Sequence, residues 1–231
     1  MGWTGVRVTD IAEQAPARAA EPLPELRFRL PGKWWQVPLK DHDTAKASIR
    51  DMVRDQVGTS DEHANLRAGL SRRLLTSLEA AIAGDGLAMH IALRILPGVP
   101  IPASFTVALP SIGMTPAIGT SPAAVIGVLE KTLMTGEKLD ETAHRFSIRE
   151  SEVLRSHRIR ISDEADAAPP TLLADYWVTV PRTKRVLLIS FSTGLVDITD
   201  EMLGLFDSIL AASYWKTRAS ARPGAAADST A

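Results

Sequence analysis

The sharpest alternation of apolar and polar positions lies in residues 171–213. Tyr176, Val178 and Val180 share one face of the first run and Asp175, Trp177 and Thr179 the other, as in a strand with two usable faces. Residues 181–184, PRTK, make a short polar break that predicts a hairpin. The next run is apolar on both faces at Leu187, Leu188 and Ile189, which suits a central strand. Met202, Phe206, Ile209, Leu210 and Ser213 then recur at helical spacing. This predicts a closing amphipathic helix with Thr199 as N-cap and Asp200 and Glu201 in a first turn that favours negative charge. Phe206 falls on the face that a sheet must cover, and Asp207 on the solvent side.

Upstream, Leu26, Phe28 and Leu30 alternate with Glu25, Arg27 and Arg29, a half-buried strand that Pro31 and Gly32 end. Trp34 and Trp35 come next. Neighbours on extended chain point to opposite sides, so one tryptophan enters the core and the other stays partly exposed. The pair reads either as an aromatic anchor for a partner or as a plug closing the end of the sheet. From Thr44 the period becomes helical, with Ile49, Met52, Val53, Gln56 and Val57 stopping at Gly58. After Ser60, an N-cap residue, Leu66, Leu70, Leu74, Leu78, Ala81 and Ile82 form a longer stripe ending at Gly84. These two helices make an antiparallel hairpin, with Arg67, Arg72 and Arg73 toward solvent.

Two strands follow. One sets Met89, Ile91, Leu93 and Ile95 opposite His90, Ala92 and Arg94; the other has Phe105, Val107 and Leu109 on one side. Ser121 and Pro122 open a helix carrying Val125, Val128, Leu129 and Leu133 as far as Gly136. Residues 142–162 predict a second hairpin, whose later strand sends Arg155, His157, Ile159 and Ile161 to one face and Leu154, Ser156, Arg158 and Arg160 to the other. With Arg145 and Arg149 this is the most basic stretch of the chain. It reads either as a surface for an acidic partner or as a solvated sheet face with salt bridges to the helices. An acidic loop, residues 163–170, leads back to the opening pair of strands.

Strand, two helices, two strands, helix, four strands and helix is an order without steady strand–helix alternation. It predicts an α+β fold, a mainly antiparallel β-sheet flanked by helices as an α/β/α sandwich. Residues 26–215 read as a single domain, residues 1–25 as a flexible leader and residues 216–231 as a disordered tail, because both ends are poor in large apolar groups.

Composition narrows the chemistry. The 26 basic and 27 acidic residues leave a formal charge of -1, so nothing global draws the chain to nucleic acid. Without cysteine there is no disulfide, no thiolate catalysis and no cysteine-ligated metal. No stretch approaches the roughly 18 to 20 apolar residues of a membrane span, and the N-terminus lacks a basic region followed by an apolar core. A cytoplasmic protein is the reading that follows. His42, His63, His90, His144 and His157 include no pair at one-turn helical spacing, and no phosphate-binding glycine loop or nucleophile elbow occurs. Asp51 and Asp55 share a helix face, but an exposed one. A triad assembled from distant residues stays open.

Phe28, Pro31 and Trp34 in an early strand, the two late strands, and the helix DEMLGLFDSILAAS after SFST together resemble the PsbP-like and DcrB-like α/β/α sandwich superfamily, over residues 26–38 and 172–214. The resemblance implies a non-enzymatic binding protein. The functional expectation is therefore a cytoplasmic binding or adaptor protein, a chaperone or accessory factor for a secreted or assembled protein partner, with no cofactor, no metal, no nucleic acid and no membrane span. Trp34, Trp35, Arg155, His157, Arg158 and Arg160 are its partner-binding candidates. The alternative is an enzyme with a dispersed hydrolase-like site in which His90 or His157 is the base. Limited proteolysis should trim both ends before it cuts within residues 172–213, because the ends have too little apolar surface to offset chain entropy.

Overall fold

The computed structural model describes residues 24–92, 95, 101–115, 117–136, 142–161 and 169–216. Most of the leader and tail, Leu93 and Arg94, and residues 163–168 of the acidic loop lie outside the described residues. The elements run β1 (Glu25–Arg27), β2 (Trp35–Pro38), α1 (His42–Val57), α2 (Ala64–Ala83), β3 (Gly86–Ala92), β4 (Ala103–Ala108), α3 (Pro122–Gly136), β5 (His144–Ile148), β6 (Ser151–Arg160), β7 (Thr171–Thr179), β8 (Val186–Thr193), α4 (Thr199–Ala212) and β9 (Tyr214–Lys216). Seven strands form one sheet in the order β2-β3-β4-β8-β7-β6-β5, antiparallel at every pairing, and β1 pairs with β9 in a separate ribbon.

The β7–β8 hairpin sits centrally, as its two-sided apolar pattern predicts. On one face of the sheet, α1 and α2 bring Ile49, Met52, Val53 and Leu78 onto Val37, Met89 and Ile91. Farther along that face α3 sets Val125, Ile126 and Leu129 against Leu154 and Val186. On the opposite face, Met202, Phe206, Ile209 and Leu210 of α4 and Leu26 and Trp215 of the ribbon cover Phe105, Tyr176, Ile189 and Phe191. The result is the expected α+β sandwich, a sheet between two layers, with a two-stranded ribbon sharing one layer with α4.

Residues 24–30 keep their alternation, but only Glu25–Arg27 is strand. Gly32, at φ +70°, turns the chain in a left-handed conformation that side chains rarely adopt, so β1 and β2 enter different sheets. Trp34 and Trp35 point to opposite faces, as expected, but both are half-buried, so neither is the core ring that was expected beside a partly exposed one. Trp34 packs in the core under α4 and the ribbon, and Trp35 in the core under α1 and α2, because each face of the sheet has its own cover.

Three capping and burial expectations are also corrected. Thr199 is the first residue of α4 and not its cap; its hydroxyl donates to the Val196 carbonyl. Ser60 makes no capping bond and precedes a single 3-10 turn, whereas the cap of α1 is Asp41, which accepts from the Asp43 and Thr44 amides. Leu66 is 59% exposed. At about 100° per residue, twelve positions rotate it about 120° away from the buried Leu78, so a row at every fourth residue drifts off the core face.

Asp207, expected on the solvent side, is instead half-buried. It accepts from Arg155 Nη1 at 2.6 Å and from the Tyr176 hydroxyl at 2.8 Å, tying α4 to β6 and β7. Burial, reinforced by the Asp207 charge, pushes the Tyr176 phenol well above its ordinary range, so it stays a donor.

Phe206→Ala should cost about 3 to 5 kcal/mol in denaturant unfolding, since it empties a fully buried site. Asp207→Ala should cost about 1 to 3 kcal/mol by leaving Tyr176 and Arg155 without their acceptor. Ser208→Ala, on the exposed side of α4, should stay within about 0.5 kcal/mol.

Candidate binding pocket under the terminal ribbon

A cavity of about 600 Å³ lies between the β1–β9 ribbon and the end of the sheet formed by β3, β4 and β8. Its floor is Ala88, His90, Val107 and Leu187, and its walls include Leu26, Phe28, Trp34 and Trp215. The walls follow from the alternation of residues 24–30, which turns Leu26 and Phe28 toward the core, while Glu25 and Arg27, which also line the cavity, are exposed and pair with each other at 2.8 Å. Arg29 lies over the Tyr214 ring at 5.4 Å and supports the ribbon from outside. Lys40 and Gln36 stand at the rim.

Both tryptophan N–H groups are engaged away from the cavity. Trp34 Nε1 donates to the Pro31 carbonyl at 2.8 Å. Trp215 Nε1 donates to Ser151 Oγ at 2.9 Å, and that hydroxyl donates in turn to the Thr179 carbonyl. What the two indoles add to the cavity is therefore apolar wall.

His90 is the polar exception. Only 8% exposed, it stacks flat on Phe105 at 4.4 Å between ring centroids, with Phe28 at 5.8 Å. Burial pushes its pKa down to about 4, so the imidazole is neutral at pH 7. Its Nδ1 is buried without a hydrogen-bond partner. An aromatic-walled cleft with one neutral imidazole in its floor, and with its charged residues Glu25, Arg27 and Lys40 exposed, suits an apolar group.

Of the sequence candidates, Trp34 enters this pocket and the others do not. Trp35 lies on the opposite face, with the Lys33 ammonium 4.7 Å above its ring. Arg155 and His157 lie on the α4 side of β6, Arg155 in its ion pair with Asp207 and His157 with a buried, unpartnered Nδ1. Arg158 and Arg160 lie on the α3 side. Arg158 donates to Asp175 at 3.2 Å, and Ser190 donates to the other oxygen of that carboxylate at 2.6 Å. Arg160 is exposed. The pocket and the basic strand thus occupy opposite ends of the sheet. Among the described residues no group of three or more histidines, aspartates or glutamates is placed to hold a metal, and no helix is long and apolar enough to cross a membrane.

His90 stands off the main apolar row of its strand, and that is the sequence signal for a special position. Trp215 was missed, since a three-residue strand carries almost no periodicity.

Acid should weaken the fold through His90. Between the ordinary histidine value of about 6.5 and the folded value of about 4, the unfolded chain takes up a proton that the folded chain refuses, so stability falls as pH drops through that window. The loss should approach about 3 kcal/mol. His90→Phe, which keeps the stack on Phe105, should lose less stability than the wild type between pH 7.5 and pH 4.5 in denaturant titrations.

No known protein family matches the sequence, and no curated protein does. Among solved structures the chain is similar to LpqN, described as involved in cell envelope biogenesis of Mycobacterium tuberculosis, at 12% identity and a TM-score of 0.42 over 86% of this chain and 88% of that one. It is also similar to a protein from Bacteroides thetaiotaomicron at 9% identity and a TM-score of 0.34, over 56% of this chain and 39% of that one.

Proposed function

We propose that this chain is a non-enzymatic cytoplasmic binding protein of the adaptor or chaperone type, which seats an apolar side chain of a protein partner under the β1–β9 ribbon. The cavity carries the proposal: most of its lining is apolar or aromatic, the charged groups in that lining, Glu25, Arg27 and Lys40, are exposed, its two tryptophan donors are already satisfied, and its one imidazole is neutral. The resemblance to the PsbP-like and DcrB-like sandwich proteins, mostly binding proteins, points the same way. One Leu- or Phe-sized anchor moved from water into such a site contributes about 1.5 to 3 kcal/mol, roughly ten- to a hundredfold in affinity.

A second reading, an enzyme with a dispersed hydrolase-like site, has one observation in its favour. The His90 imidazole lies in a cleft in its proton-accepting neutral form, although a pKa pushed down to about 4 makes it a weak base. Against it, among the described residues neither His90 nor His157 has a side-chain hydrogen bond to a serine or a carboxylate.

Ala88→Phe puts a ring into the cavity from its floor. It should leave the melting temperature nearly unchanged and weaken a protein partner isolated from the native host by about ten- to a hundredfold. Unchanged partner affinity would remove the pocket from the proposal. Labelling of the wild-type protein by a serine-directed probe, lost in His90→Ala or His157→Ala, would decide for the enzyme.

A further inference from the structure

The far end of the sheet holds a second surface, on β6. This strand pairs with β7 along its length to Arg160↔Thr171, whereas its pairing with β5 stops at His144↔Arg155. Among the described residues no strand pairs with the outer edge of β6 beyond Arg155. At its first open position a side chain stands in for a strand: the Thr142 hydroxyl donates to the His157 carbonyl at 2.9 Å and accepts from the His157 amide at 3.2 Å. The backbone groups of His157 therefore point outward. Backbone direction repeats every second residue along a strand, so the N–H and C=O of Ile159 point the same way, away from β7.

The side chains there are equally exposed. Ile159 is 47% and Ile161 69% exposed, two of the few large apolar groups left in water among the described residues. On the other face of the same strand lie Arg158, whose side chain remains 61% exposed beside Asp175, and the exposed Arg160. An open edge with apolar side chains is a template for another strand, and proteins commonly blunt such edges unless they use them.

A second copy of this chain is a poor occupant. Antiparallel self-pairing centred on Ile159 sets Arg158 of one copy across from Arg160 of the other, and self-pairing centred on Arg160 sets that arginine against itself. Like charges directly opposite destabilise a sheet. We propose that the open edge of β6 takes an extended peptide segment of a protein partner in which acidic and apolar residues alternate, the acidic ones meeting Arg158 and Arg160 and the apolar ones covering Ile159 and Ile161. Backbone hydrogen bonds supply affinity and the alternation supplies register. Because this edge is at the opposite end of the sheet from the pocket, it stands or falls independently of the pocket reading.

The test uses the full chain and three labelled, capped peptides: alternating valine and glutamate, the same composition in two blocks, and alternating valine and lysine. Fluorescence anisotropy should show saturable binding of the first peptide only, with the amides of Ile159 and Ile161 protected from hydrogen exchange. Ile159→Pro removes an outward N–H that the β6–β7 ladder does not use, so it should weaken binding by at least about tenfold with the melting temperature little changed. Arg158→Glu with Arg160→Glu should turn the preference to the valine–lysine peptide, an outcome that loss of folding cannot produce. Equal binding of the block peptide, or amide protection elsewhere in the chain, would overturn the proposal. So would binding seen only after the chain's own Asp163, Glu164 and Asp166 are neutralised, since these would then be the occupant.

Discussion

A line of rings crosses the sheet on the face beneath α4. His90 of β3, Phe105 of β4 and Phe191 of β8 are directly opposed in register, with centroids 4.4 and 4.8 Å apart, and Phe206 of α4 stacks on Phe191 at 4.4 Å. The register position beyond Phe191, on β7, is Ala174, a small residue beside which a ring can descend from the helix. Each such contact contributes about 0.5 to 1.5 kcal/mol beyond area burial. The larger effect is geometric: interlocked rings fix the register of three strands and the height of α4 together.

The pocket depends on that line. His90, its outermost ring, is floor to the cavity and stacking partner to the core at once, and Phe28 and Trp34 reach in to touch Phe105 at 4.9 and 5.4 Å. A ligand entering under the ribbon would therefore meet a surface continuous with the packing of α4. Neutrality of His90 belongs to the same arrangement, because a protonated imidazole between Phe105 and Phe28 has no counter-charge to replace its lost water.

Polar contacts at the other edge of α4 have a different character. Asp207 joins Tyr176 and Arg155 in a half-buried cluster, so the arginine that made β6 look like a binding surface is largely spent on holding the helix. Arg158 and Arg160, on the opposite face, retain the exposure that Arg155 lacks. One basic stretch is thus divided by the strand period into a structural half and an accessible half.

Much of this was legible in the sequence. Alternation in residues 171–193 identified two neighbouring strands and the central place of one of them, helical stripes identified α1, α2, α3 and α4, and the parity of His90 against Met89 and Ile91 placed it on the other face, as observed. These features are local: the side-chain period is a property of a few successive residues and needs no knowledge of what covers them. The division of Trp34 and Trp35 between two cores, the partners of Asp207, and the pocket itself were not legible. Each requires knowing which distant segments meet, and the pocket exists because Leu26 pairs with Trp215, residues near opposite ends of the described chain. Two strands of three residues carry too little pattern to announce their pairing, so the ribbon is positioned by the core beneath it. That core comes into being only when the sheet and α4 have closed.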